Sequence, residues 1–159
     1  MSIFDMSVPA VRVQQIHRTG GFVLDCDVDT AFPLFSPEGE CAWIDDWDPR
    51  PVFPDQIAFF RDTVFREGTD AQEALWTVVD VDWQTHRAEY VRFAPASHSA
   101  HIIVKIEPAE SSRSHVLVSY TITVFAADES PLLHAFSEDS YAAKMQNWKH
   151  RITALLASR

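Results

Sequence analysis

The sequence predicts one α+β domain, a strongly curved antiparallel sheet wrapped around a long C-terminal helix, with two short helices after the first strand. Three observations carry this. Candidate strands recur about every ten residues from 62 to 125 with short turn-type connections, which suits a meander and leaves no room for βαβ crossovers. Two helix-start signals follow one another between residues 29 and 40. The chain then closes on a single apolar stripe at helical spacing.

In chain order, PAVRVQQIHR (9–18) alternates loosely as an opening strand. It can continue through GGFVLD, with the Gly20–Gly21 pair marking a bulge or bend. In DTAFPLF, Asp29 or Thr30 can cap a short helix whose first turn tolerates Pro33. SPEGE gives a cleaner start: Ser36 is a good N-cap, Pro37 suits the first helical position, and Glu38 and Glu40 complement the helix dipole. That helix ends near Trp43 or Ile44. DWDPRPVFP is extended or turn-like, because Pro49, Pro51 and Pro54 each remove a donor and restrict the residue before them.

The meander strands are expected at 62–66, 73–81, 88–94, 99–107 and 114–125. Alternation is clearest in the last two, where Ile102, Val104 and Ile106 share one face, as do Val116, Val118, Tyr120, Ile122 and Val124. Ser130 and Pro131 then start the closing helix, along which Leu133, Phe136, Tyr141, Met145, Trp148, Ile152 and Leu155 form the stripe. About 27 helical residues would span roughly 40 Å, enough to cross the whole sheet.

Bulk properties bound the function. At 159 residues and 47% hydrophobic, the chain fits one domain with a substantial core. Cys26 and Cys41 give no disulfide framework and no zinc spacing. The start MSIFDMSVPAVRV lacks the basic and apolar regions of a signal peptide, and no apolar run approaches the ~20 residues of a membrane span. A cytoplasmic location and no membrane insertion are the expectation. A net charge of −10 without a Lys/Arg cluster argues against nucleic-acid binding.

The order strand, two small helices, meander and amphipathic helix, with FPLFSPEGE…W…DWDP, WTVVDVD…AEYVRFAP and the closing helix, resembles the SRPBCC (START-like) superfamily. It looks closest to bacterial members known as polyketide cyclase or dehydratase-like, and the resemblance covers essentially the whole chain. It implies a helix-grip fold with a deep, mostly apolar cavity for a lipid- or polyketide-like molecule, and no cofactor. The motifs are architectural, so they bear on fold more than on activity. No acid/base set of the aromatic polyketide cyclases aligns.

The resemblance places the two short helices and the following loop at the cavity mouth. Trp43 and Trp47 sit there among Asp45, Asp46 and Asp48. Burying one indole contributes roughly 5 kcal/mol at ~25 cal/mol per Å2, so the pair covers either core or ligand. Tyr90 and Arg92 share strand parity opposite Val91 and Phe93. If they face inward, Arg92 needs a carboxylate partner or an anionic ligand group. Trp76, Tyr120, Phe136 and Tyr141 are expected as core or ligand contacts.

Among seven histidines only His98 and His101 are close, and in a strand they face opposite sides, so no metal site is expected. DCDVD (25–29) imitates the start of a calcium loop but lacks its glycine and closing glutamate. Cys41 reads as a small buried residue. Asp45, Asp46 and Asp48 are the acids best placed for catalysis if the loop is a lid; otherwise they are solvated turn residues. Three functions stay open: a binding module for a small hydrophobic or amphipathic ligand, a cyclase/dehydratase-type enzyme, and an interaction domain with a filled interior resembling the Hsp90-activator branch.

Overall fold

The computed structural model describes residues 13–126, 128 and 130–159, of which Ala71 and Ser130 as backbone only. The strands are β1 (Gln14–Leu24), β2 (Arg50–Phe53), β3 (Val64–Glu67), β4 (Ala74–Asp82), β5 (Arg87–Ala94), β6 (His98–Ala109) and β7 (Arg113–Val124). They form one antiparallel sheet in the order β1-β7-β6-β5-β4-β3-β2. The expected meander is there, with ends within two residues of expectation. Residues 9–12 of the opening strand lie outside the described residues. One strand more than expected forms from the proline-rich DWDPRPVFP: β2 takes the sheet edge, where Pro51 forfeits no obligatory ladder bond.

Alternation sets the buried face. On β6, His98, Ala100, Ile102, Val104 and Ile106 point inward, and on β7 Val116, Val118, Tyr120, Ile122 and Val124 do. On β5 the same parity brings Ala88, Tyr90 and Arg92 to the inner side and leaves Phe93 on the outer surface, against Phe125. The Tyr90↔Ile102 pairing fixes this choice, since a slip of one residue would expose the aliphatic face of β6.

The two short helices are weaker than expected. One α-helical turn, α1 (Val28–Ala31), runs into a 3-10 turn at Phe32–Phe35, and a second 3-10 turn covers Gly39–Ala42. The cap of α1 is Asp27, whose carboxylate accepts from the Thr30 N–H at 2.8 Å, and not Asp29 or Thr30. DCDVD therefore has a local purpose. Ser36 caps as expected: its Oγ accepts from the Gly39 N–H at 2.9 Å and donates to the Pro33 carbonyl at 2.7 Å. Phe32, Leu34 and Phe35 are buried and plug the end of the sheet. Trp83, otherwise exposed, lays its edge on Phe32 at 4.9 Å.

The closing helix is broken. α2 (Ser130–Ala135) ends at the Phe136–Ser137 corner, and α3 (Glu138–Ala157) begins anew. Ser137 is extended (ψ 159°) and accepts from the Ser140 N–H at 3.2 Å, with Glu138 and Asp139 in the first turn. That local cap competes with continuation and wins. The expected Ser130 cap rests on a side chain outside the described set. At 20 residues, α3 spans roughly 30 Å.

The glycine pair does not make a bulge: β1 runs in unbroken register with β7 through Gly20↔Val118 and Gly21↔Leu117. It makes room. A Cβ on Gly20 would lie 3.0 Å from Tyr141 Cε1 and 3.1 Å from Met145 Cγ, both on α3. Tyr141 crosses that gap and donates its hydroxyl to the Val118 carbonyl at 2.6 Å. α3 therefore sits closest to the sheet over β1. Gly20→Val overpacks this seat and is expected to cost ~1–3 kcal/mol in urea denaturation, with Tyr141→Phe costing ~1 kcal/mol.

Candidate functional site

Away from its seat on β1, α3 stands off part of the sheet's inner face, and a cavity of about 440 Å3 opens between them. Its walls come from every layer of the fold. Glu40, Ile44 and Trp47 enter from the second 3-10 turn and its loop, and Glu67, Trp76, Arg92, His98, Ala100 and Tyr120 from β3 to β7. Leu132 of α2, Phe136 of the corner that follows it, and Lys144 and Trp148 of α3 complete it. A small annex bounded by Phe65, Tyr90, Ile102 and Val104 leads deeper past Glu40, Trp76, Tyr120 and Trp148.

The structure separates the two tryptophans of the opening loop. Trp43 is 5% exposed, donates Nε1–H to the Leu34 carbonyl at 2.8 Å and packs edge-on against Phe35 and Trp148. It is a plug of the core, outside the cavity lining. Trp47 donates to the Pro37 carbonyl at 2.8 Å and turns its ring to Phe65 and to Trp76, whose centroid is 5.5 Å away. Trp47 is cavity wall. Trp76, Arg92, Tyr120 and Phe136 also line the cavity; Tyr90 reaches only the annex, its hydroxyl donating to the Phe35 carbonyl at 2.7 Å. Tyr141 faces β1 instead, as described above.

Asp45, Asp46 and Asp48 are exposed and lie outside the cavity. Asp45 pairs with Arg151 of α3 at 2.7 Å, Asp46 occupies a left-handed turn position (φ 58°), and Asp48 pairs with Arg50. Of the two readings offered for them, the solvated turn role holds and that of best-placed acids is corrected, because the loop turns their side chains to solvent. The acids that do face the cavity are Glu40 and Glu67. Cys41 is also corrected: it is exposed, since a single 3-10 turn cannot fold it under.

The polar groups form a chain. The Glu67 carboxylate accepts from Trp76 Nε1–H at 3.3 Å and lies 3.7 Å from Arg92 Nε. The Arg92 guanidinium stacks over Trp76 at 5.9 Å and donates to His98 Nε2 at 3.0 Å. Since arginine only donates, Nε2 is the acceptor and Nδ1–H points to Ser97 Oγ, 2.8 Å away. Burial first, and then the Arg92 charge, hold the His98 imidazolium down to about 4, so His98 is neutral at pH 7. His101, on the opposite face, pairs with Glu89 at 2.5 Å.

Three groups stand apart from that chain. The Glu40 carboxyl accepts no hydrogen bond from the described residues, and burial, reinforced by the Glu67 charge, pushes it well above the usual range. Lys144 has no carboxylate partner among the described residues; its Nζ lies 4.6 Å from the Phe136 ring and 5.2 Å from that of Tyr120. Burial, and then Arg92, lower its pKa. The Tyr120 hydroxyl finds no partner among the described residues, and burial raises its pKa.

Sequence reasoning passed over Glu40, Glu67, Lys144 and Trp148 as site residues. One signal was readable: Lys144 follows Tyr141 by three positions and precedes Trp148 by four, so it interrupts the apolar stripe. Glu67 had no such signal.

No protein-family model and no curated protein matches the chain. Its fold is similar to solved structures. One is norcoclaurine synthase from Thalictrum flavum in complex with dopamine and hydroxybenzaldehyde (9% identity, TM-score 0.60, 90% of this chain and 88% of that one). Another is Ara h 8.0201 (18% identity, TM-score 0.61, 93% and 100%). A third is the Mll3558 protein of Rhizobium loti (12% identity, TM-score 0.60, 91% and 99%). The resemblance read from the sequence holds at the level of fold, the helix-grip fold that Ara h 8 shares with Bet v 1-like proteins.

The two displaced pKa values predict opposite stability effects. Neutral His98 contributes fully above its ordinary value of about 6.5, and that contribution is lost as pH falls toward about 4. Wild type should therefore lose up to about 3 kcal/mol more than His98→Asn in urea unfolding between those limits. Glu40 has a raised pKa, so it costs stability as pH rises above the ordinary carboxylate range. Glu40→Gln is expected to stabilise the fold at pH 7 by ~1–3 kcal/mol, measured the same way.

Proposed function

We propose that the chain binds a small amphipathic molecule in the cavity between the sheet and α3. Its body would be apolar, and it would end in an electron-rich oxygen group, a carbonyl or carboxylate. The observation that carries this is the lining: aromatic walls from Trp47, Trp76, Phe136 and Trp148 around a cavity of about 440 Å3, with a half-buried ammonium, Lys144, that no carboxylate of the described residues neutralises. That volume falls in the range of small-molecule sites. An aromatic wall supplies dispersion and area, while the unpaired cation supplies orientation. Structures with this fold, such as the norcoclaurine synthase complex, hold small aromatic molecules of the same size class.

Arg92 supports the polar end from the sheet side. Its charge is already shared with Glu67 and with the Trp76 face, so it would act as a partner to Lys144 and not as the sole anchor. A filled interior would suit an interaction domain, and the volume between sheet and α3 gives that alternative no support.

A second reading, a cyclase- or dehydratase-type enzyme in the same cavity, is favoured by one observation. Glu40, Glu67, Arg92, His98, Tyr120 and Lys144 converge on it, with Glu40 retaining its proton above the usual range and His98 losing its own below it. A carboxyl with a raised pKa and a neutral imidazole lining one cavity are groups that proton-transfer chemistry uses.

Binding is tested by quenching of tryptophan fluorescence, since Trp47, Trp76 and Trp148 all line the cavity. 2-Naphthoate is expected to quench saturably and to bind more tightly than 2-naphthylmethanol. Lys144→Met should weaken naphthoate by about tenfold or more and leave the alcohol nearly unchanged, the scale of a desolvated charge pair. Arg92→Leu should weaken it less. Absence of saturable quenching by either compound would refute the proposal.

A further inference from the structure

We infer that Lys144 is a covalent carbonyl-capturing residue, and that the cavity takes an aldehyde or ketone, which it holds as an imine on Lys144 Nζ. This rests on the binding reading above and narrows its ligand to carbonyl compounds.

The argument begins with what Lys144 does not do. A lysine that serves stability reaches solvent or a carboxylate. Lys105 does so, 3.1 Å from Glu107 on the outer face of β6. Lys144 lies on the inward side of α3, between Tyr141 and Trp148, over two aromatic rings and with no ion-pair partner among the described residues. Arg92 lines the same cavity and adds a like charge. Desolvation and a neighbouring cation both favour the free amine, which is how a lysine becomes a nucleophile near neutral pH. A site built only to hold an anion would gain by keeping the ammonium fully charged, and this one works against that charge.

The remaining requirement is a proton donor. Imine formation adds the amine to the carbonyl carbon and expels the oxygen as water, so the oxygen must be protonated twice. Glu40 lines the same cavity, and burial, reinforced by the Glu67 charge, raises its carboxyl pKa well above the usual range, which favours the protonated acid. Lys144 first gives up one proton to solvent. Its lone pair then attacks the carbonyl carbon while the carbonyl oxygen takes the Glu40 proton. The Glu40 carboxylate next removes a proton from the new N–C adduct and returns it to the hydroxyl. Water leaves, the iminium remains, and solvent reprotonates Glu40. The sum is ammonium plus carbonyl giving iminium plus water. The aromatic walls that hold the ligand's body also limit the water available for reversal.

The chain has three lysines, Lys105, Lys144 and Lys149, which makes the test direct. The full chain is incubated with 2-naphthaldehyde and sodium cyanoborohydride at pH 7, and modified peptides are mapped by mass spectrometry. Lys144 is expected to acquire the naphthylmethyl group at least about tenfold faster than the other two lysines, and 2-naphthoate should block it. Glu40→Gln should slow the trapping of Lys144 by about a hundredfold, the scale of one general acid, to a rate no faster than that of the other two lysines, while naphthoate binding is kept. Lys144→Arg, which keeps the charge and cannot form an imine, should still bind naphthoate while trapping nothing at 144. Equal labelling of all three lysines would overturn the inference. So would a Lys144 left unmodified by an aldehyde that still quenches the cavity tryptophans, in which case the binding reading survives. If neither aldehyde nor naphthoate quenches, the binding reading fails as well.

Discussion

The approach of α3 to β1 at Gly20 is the constraint on which the rest depends. A helix lying on a sheet with ordinary side chains between them stands off evenly and buries the whole inner face. Here the missing Cβ at Gly20 lets Tyr141 and Met145 settle onto the strand, and the Tyr141–Val118 hydrogen bond pins that side. Further along the helix, Trp148 meets Trp43 and Phe35 above the plugged end of the sheet, with ring centroids 5.4 Å and 6.5 Å away. The helix is therefore fixed over one edge and at one end, while a gap stays open over Trp76, Arg92 and Ala100 of β4, β5 and β6. The break at Ser137 turns α2 so that Leu132 and Phe136 close over part of that gap.

The cavity that results is an expensive place for charge, yet it contains two carboxyls, a guanidinium and an ammonium. Pairing offsets part of the cost, through Glu67 with Arg92 and through the faces of Trp76, Phe136 and Tyr120. Shifted protonation offsets more: His98 stays neutral, and the raised pKa of Glu40 favours its uncharged form. What remains is Lys144, set over two aromatic rings with no carboxylate partner among the described residues. A fold selected for stability alone would put leucine at 144 and glutamine at 40. Retaining both residues is the pattern of a site whose local cost is tied to a ligand.

Much of the fold was legible because sheet parity and helical spacing leave a direct mark on the sequence. Ile102, Val104 and Ile106, opposite Val116 to Val124, could only form two paired inner faces. The helix break was written in Ser137-Glu138-Asp139, but the apolar stripe runs through it and hid the cap. The glycine pair was seen and misassigned, since a close helix contact and a bulge call for the same residue. For the site, Arg92 was ambiguous until Tyr90 had a partner strand to fix its side. Trp43 and Trp47 differ only in where a short irregular loop sends them, which no periodicity encodes. Glu67 and Glu40 read as ordinary surface acids because their burial comes from segments distant in sequence.

The central claim is that this gap is a working cavity. Native mass spectrometry of the freshly purified chain, followed by denaturing extraction, tests it most directly. The account predicts a stoichiometric small-molecule adduct that is apolar over most of its length and carries an oxygen acceptor. It should survive gentle desolvation and be absent from Lys144→Met. A mass equal to the bare chain, unchanged after incubation with aromatic carboxylates and aldehydes, would contradict it.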